Sequence, residues 1–238
     1  MLIGAVSSER SCRLLGDVVM SDIPPDDRYE ALQRAVFGAL PEPELRRLAG
    51  EVRESRLLAG HLLYEPEVTV VTAGLLRAFI GDGTGRQITI AYIRPGHTLG
   101  LTHLAGRRYP VAFQASEDSR LLVIGNERAL QLHSAYPALG WATVRELSAY
   151  FNDLAIELAS HAFGSLRQRL ASHLLALTVG DGTDQPVHLG LLVTAVGSAR
   201  EVISRTLGPL VADGTLHIDT FGVTVTDRQR LQDHANLD

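Results

Sequence analysis

The apolar residues of this chain change their period near residue 126, and that change constrains the fold more than any other feature. From about residue 52 to 125 they come in short runs rich in Val, Ile, Thr, Leu and Tyr, broken by Gly, Pro, Asp and Asn. Examples are Val68-Thr69-Val70-Val71, Leu75-Leu76-Arg77-Ala78-Phe79-Ile80, Gln87-Ile88-Thr89-Ile90-Ala91-Tyr92-Ile93 and Leu121-Leu122-Val123-Ile124. Such runs read as strands. From about residue 127 the spacing is helical. A block of strands followed by a block of helices lacks the alternation that builds a parallel sheet, so the chain reads as α+β with an N-terminal antiparallel β-barrel or roll. Gly81-Asp82-Gly83-Thr84-Gly85 marks the clearest hairpin, because its glycines accept positive φ.

Flanking segments complete the plan. Residues 1–26 have no sustained period and end in the breakers Ile23-Pro24-Pro25-Asp26, which predicts an arm. Tyr29, Leu32, Val36 and Leu40, then Leu45 and Leu48 after Pro41, predict two short helices over the start of residues 27–135, the barrel domain. In residues 136–163, Val144, Leu147, Phe151, Leu154 and Leu158 are spaced 3, 4, 3, 4, an a/d seam of about two heptads. That seam can pack on its own barrel or join a second copy of the chain in a parallel dimer. The dimer interface is the preferred reading. Pro137 suits a first helical turn, and Gly164 is where the helix should weaken. Over residues 164–238 a helix with Leu166, Leu170, Leu174 and Leu177 on one side precedes two short helical patterns separated by Val196-Gly197-Ser198. Leu216-His217-Ile218 and Val223-Thr224-Val225 follow around Phe221-Gly222, and two strands directly after two helices suggest a winged helix-turn-helix.

Composition narrows the function. The 238 residues have a mean hydropathy of +0.08, with no apolar run near the roughly 20 residues of a membrane helix. Glu9, Arg10, Arg13 and Asp17 interrupt the N-terminal apolar stretch, so no secretion-type core is expected and the cytoplasm is. The single Cys12 excludes an internal disulfide and an all-cysteine metal site. All 22 basic residues are arginine, and a net charge of −5 leaves nucleic acid to be attracted only by a local basic patch.

Residues 196–207 are the most informative segment. Gly197 supplies a turn, Ser198 with Glu201 fits a capping box, and Val202, Ile203 and Leu207 can face a small core. Arg200 and Glu201 then fall in the first helical turn with Arg205 about one turn on. In a helix entering the major groove N-terminus first, arginine forks onto guanine and glutamate accepts from a cytosine amino group. Ser198 and Ser204 are candidate phosphate contacts. Taken alone, the window fits an ordinary capped amphipathic helix equally well.

The segment resembles the recognition helix of the Crp/Fnr family of bacterial transcription regulators, whose Gly-x-x-Arg-Glu-x-x-x-Arg pattern is matched by Gly197, Arg200, Glu201 and Arg205. Supporting pieces stand in family order: Glu44-Leu45-Arg46-Arg47-Leu48-Ala49, Ala73-Gly74-Leu75-Leu76-Arg77, Arg169-Leu170-Ala171-Ser172-His173-Leu174-Leu175, and Gly222-Val223-Thr224-Val225-Thr226-Asp227 with Leu231. The resemblance covers most of residues 28–232. It implies a cyclic-nucleotide-binding-like barrel of the double-stranded β-helix type, a long dimerisation helix and a winged helix that reads DNA. The implied partners are a palindromic operator, a second copy of the chain, an effector molecule and RNA polymerase.

The chain also departs from the family. Members that bind cyclic AMP carry a Gly-Glu pair and, further on, an Arg-Ser or Arg-Thr pair; here these positions hold Gly100-Leu101 and Tyr109-Pro110. Leucine accepts no hydrogen bond from ribose, and neither tyrosine nor proline forks onto a phosphate, so no response to cyclic AMP through the usual pocket is expected. Gly100, Arg107, Arg108 and Tyr109 remain the candidate effector residues, Arg107 and Arg108 as partners for another anion. Leu189-Gly190-Leu191-Leu192-Val193 removes polar side chains from the first helix of the helix-turn-helix, and Pro209 should kink or end the second near Leu207. Residues 164–238 carry 6 Arg against 8 Asp plus Glu, a net −2.

No metal, cofactor or catalytic set is expected: His97 and His103 lack ligand spacing, Cys12 reads as an inert thiol, and Asp82-Gly83-Thr84-Gly85 lacks the lysine and helix of a phosphate loop. The chain is therefore read as a regulator and not an enzyme. A small-molecule-binding or cupin-like barrel is the alternative, as is a degenerate regulator acting through protein partners.

Overall fold

The structure, a computed structural model, describes residues 23–82, 87–106, 110–178 and 186–236. In chain order its elements are α1 (Pro25–Arg34), a 3-10 turn (Val36–Ala39), α2 (Glu42–Glu51), β1 (Arg53–Leu57), β2 (Leu62–Tyr64), β3 (Thr69–Ala73), β4 (Leu76–Gly81) and β5 (Gln87–Ile93). There follow β6 (Thr98–Leu99), a 3-10 turn (Leu101–Ala105), β7 (Ala112–Ala115), β8 (Ser119–Val123), α3 (Asn126–Ala135) and α4 (Pro137–Phe163). The rest is α5 (Leu166–Leu177), α6 (Leu189–Val196), α7 (Arg200–Ala212), β9 (Leu216–Ile218), β10 (Val223–Val225) and α8 (Arg228–Ala235). This is the mixed α+β architecture expected, with antiparallel strands first and helices after. The chain divides into two compact units. One runs through Phe79 and resumes from Ile93 to Asn152; the other combines Ile80–Tyr92 with the chain from Asp153 onward.

In the first unit, one sheet runs β1-β8-β3-β6, and β2, β7 and β4 are neighbours in the second. Register follows the apolar alternation: Ser55 faces Leu121 and Val71 faces Leu121 from the other side of β8, while Phe113 lies between Leu63 and Ala78. Leu32, Phe37, Leu45 and Leu48 from the first helices bury against Val68, Val70 and Leu122, and Leu132 and Leu139 close the same core. Burying side chains of this size contributes about 1.5–3 kcal/mol each. Gly74 shows why a glycine stands between β3 and β4. Its φ is +89°, and a Cβ there would collide with Ser119.

Two expectations at the N-terminal end need correction. The arm was expected to reach residue 26, but Pro25 opens α1, where its missing N–H costs nothing, and Ile23 lies in the core. The Ile23 N–H donates to Glu54 Oε1 at 3.2 Å, and Arg28 pairs with the same carboxylate at 3.0 Å, both side chains being nearly enclosed. The strand reading found β3, β4, β5 and β8 but passed over β1, β2 and β7, which are three to five residues long and contain Arg, Glu, Gln or Tyr, and β6, which is only two residues long.

In the second unit, α5, α6 and α7 pack with β9, β10 and α8 around Leu170, Leu174, Leu192, Ile203, Leu207 and Leu231. Ser165 caps α5 through a capping box with Gln168. β9 and β10 pair with Val225 opposite Leu216, and Val187 bridges Val223 as a third, single-residue strand. Arg228 ties α8 to the C-terminal end of α5, donating to the Leu175 and Thr178 carbonyls.

Candidate nucleic-acid interface

The turn between α6 and α7 rests on Gly197, whose φ of +62° closes α6 in the left-handed region while its N–H donates to the Val193 carbonyl. α7 then begins at Arg200. Its N-cap is Ala199 and no side chain caps it, so the expected capping box of Ser198 and Glu201 does not form. The register explains this: with Ala199 as N-cap, Glu201 is the second helical residue, one short of the position from which a box closes. Pro209 does not end the helix near Leu207 either, for α7 continues to Ala212. The proline deletes the hydrogen bond to the Arg205 carbonyl, but Leu207 and Leu210 are both buried in the core and hold the last turn on either side of it.

Ile203, Leu207 and Leu210 face inward at helical spacing, so the opposite face is solvent's. Glu201 and Arg205 lie on it, Arg200 and Ser204 flank it at the start of the helix, all four are exposed, and Ser198 is half-buried ahead of them. Among the described residues, none of Arg200, Glu201 and Arg205 takes part in an ion pair. Both guanidiniums therefore have their donors available, where those of Arg228 and Arg230 are engaged by α5, Asp213 and Asp227. Asp213 is occupied too: Thr215 and then His234 hold its carboxyl below the usual range. In α6, Leu192, Ala195 and Val196 are buried, and His188 Nδ1 caps the helix by accepting from the Gly190 N–H at 3.3 Å. A Cβ at Gly190 would lie 3.3 Å from that ring nitrogen, a close contact with its own capping ring.

The wing adds a residue that sequence reading passed over. Asp219 Oδ1 accepts from the N–H groups of Phe221 and Gly222, an Asx turn that leaves Phe221 73% exposed at the tip. Only the apolar character of Phe221 in a turn signals it beforehand.

The other expected residues fall as follows. Gly100 has φ +78°, and a Cβ would lie 2.6 Å from the carbonyl oxygens of Pro66 and Glu67, so backbone packing accounts for the glycine. Leu101 is buried in the first unit's core. Arg107, Arg108 and Tyr109 lie outside the described residues, as do Cys12 and Gly83, Thr84 and Gly85 of the hairpin. Within the barrel, Arg77 is buried, its guanidinium 4.4 Å over the Phe79 ring and donating to Gln114 Oε1. His97 and His103 each approach a backbone carbonyl, those of Arg94 and Pro66, and no group among the described residues is arranged to hold a metal ion. No helix among them is long and apolar enough to cross a membrane.

Along α4, Val144, Phe151 and Leu158 are exposed by 50%, 73% and 68%. Leu147 instead packs partly against the core of its own unit, and Leu154 is half-buried. The exposed row reads Trp141, Val144, Ser148, Phe151, Ala155, Leu158, Ala162, still in steps of three and four but with Ser148 and Ala155 in place of the two leucines.

Residues 168–234 match the Crp-like helix-turn-helix domain family. The cyclic AMP receptor protein of Thermus thermophilus is 28% identical over 169 residues, 70% of this chain and 78% of that one. A crp/fnr-family transcriptional regulator from Eubacterium rectale shares the fold with a TM-score of 0.71 at 21% identity, over 84% of this chain and 97% of that one. The c-di-GMP-responsive global regulator CLP of Xanthomonas campestris does so at 0.66 and 21%, over 78% and 99%. The resemblance to the Crp/Fnr family read from Gly197, Arg200, Glu201 and Arg205 is thereby borne out.

Proposed function

We infer that this chain is a cytoplasmic DNA-binding transcription regulator of Crp/Fnr type, which reads a palindromic operator as a homodimer and does not answer to cyclic AMP through the family's usual pocket. The observation that carries the reading is α7: exposed Arg200, Glu201, Ser204 and Arg205 on a core-anchored helix that opens from a left-handed glycine turn, inside a Crp-like domain. A helix presented in this way can meet base edges with its first two turns. Dimerisation is assigned to the exposed row of α4, because apolar side chains as large as Val144, Phe151 and Leu158 in heptad spacing gain by burial against an identical helix. No enzymatic role is assigned.

One relative is a cyclic AMP receptor, yet the burial of Leu101 in a hydrophobic core supports a different or absent effector here. An apolar side chain committed to packing offers ribose nothing. The test of the function is selection from random duplexes with the purified protein, followed by gel shift. A palindromic consensus is the expected outcome. Recovery of no sequence above background would refute the reading and favour action through protein partners.

A further inference from the structure

The last turns of α4 and the body of α5 meet over a cluster of ionisable side chains that DNA reading does not use. Glu157 Oε1 lies 3.3 Å from His161 Nε2 and 3.6 Å from His173 Nε2, and all three side chains are at least four-fifths enclosed. Arg169 on α5 approaches His161 Nδ1 at 3.2 Å. A guanidinium only donates, so that nitrogen accepts, and the His161 proton sits on Nε2 facing Glu157. On the far side, Tyr92 of β5 meets His173 edge-on, its hydroxyl 3.4 Å from Nδ1. Among the described residues, the groups facing Glu157 are His161 on its own helix, Arg169 and His173 from α5, and Tyr92 behind His173.

We propose that this Glu157–His161–His173 cluster is a proton-sensitive joint, which docks the end of α4 on α5 when Glu157 is protonated and loosens that packing, and with it the hold on DNA, when Glu157 is ionised. The reason is geometric. Glu157 faces imidazoles and not a guanidinium: among the described residues the cation that acts on it, Arg169, is turned toward His161. Burial accordingly pushes the Glu157 carboxyl up to about 7, against the opposing pull of Arg169. A carboxyl whose folded value is raised holds its proton more tightly when docked, so its contribution weakens as pH rises from about 4.5 through about 7. Burial and the charge of Arg169 push His161 the other way, so the histidine costs stability only as pH falls below its ordinary 6.5. Above that pH the change belongs to Glu157.

The consequence for DNA rests on the function proposed above, whereas the joint itself is measured without DNA. Three observations test it: the carboxyl ¹³C shift of Glu157 in the wild-type protein against pH, thermal unfolding of wild type and Glu157→Gln across pH 6 to 8, and operator affinity of both at fixed salt. The expected results are a Glu157 midpoint near neutrality, a wild-type melting temperature that falls relative to Glu157→Gln as pH rises, and a wild-type affinity that weakens about fivefold or more while the variant stays flat. A Glu157 midpoint in the ordinary range of about 4–5 would overturn the proposal, and so would parallel melting profiles. If neither protein selects DNA, the functional reading fails and the first two measurements still decide the joint. If both bind with equal pH slopes, the link to DNA is overturned.

Discussion

Arg200 and Arg205 carry the assignment at the scale of single residues, because their donors are exposed and not engaged by a carboxylate. Removing either should cost ~1–3 kcal/mol on the preferred site and relax base preference at one position of each half-site. Ser204 is exposed on the same helix, and Ser204→Ala should instead weaken all duplexes alike, since a phosphate contact carries no sequence information. Titrations of the three variants against operator and scrambled DNA separate the two classes. Leu101 supports a second expectation: calorimetry should detect no submillimolar binding of cyclic AMP or cyclic GMP. A tight saturable heat for either nucleotide would mean that the sugar and phosphate find partners elsewhere in the barrel. The α7 register was not legible in the residues, because Ser198 and Glu201 have the spacing of a capping box. Which residue serves as N-cap is decided by the left-handed backbone dihedrals at Gly197, which residue spacing does not record.

Among the elements, α4 separates two kinds of leucine-and-phenylalanine pattern that look alike in the sequence. Leu147 faces its own core, so Leu147→Asp should bury an unpaired charge and destabilise the fold by several kcal/mol. Phe151 faces solvent, so Phe151→Asp should leave the fold intact and produce monomers by light scattering. Folded dimers of Phe151→Asp would remove α4 as the interface. The helix itself was plain in the sequence, its ends marked by Pro137 and Gly164, since both residues act locally. Which side meets the core was not, because the seams through Leu147 and Ser148 both run in steps of three and four and differ only by what lies across from them. The short strands β1, β2, β6 and β7 were illegible for a related reason: they take their conformation from pairing with β8, β7, β3 and β4 rather than from their own residues. Pro209 shows the same override in a helix, where Leu207 and Leu210 outweigh a local breaker.

For the whole molecule, charge and symmetry set the expectations. Residues 164–238 carry a net −2, and Arg228 and Arg230 are tied to the fold, which leaves few cations for phosphates. The dependence of log K on log salt should therefore be shallow, with a slope near −0.9 per neutralised phosphate and only a few phosphates per protomer. Two copies of α7 related by a two-fold axis must meet half-sites about one turn of DNA, ~34 Å, apart. The most direct measurement of the central claim is the affinity of the wild-type protein for its selected operator, for a scrambled duplex, and for the operator with about 5 base pairs, half a turn, inserted between its half-sites. A symmetric DNA reader binds the first far more tightly than the other two, because the insertion turns one half-site to the opposite side of the duplex. Equal affinity for all three would contradict it.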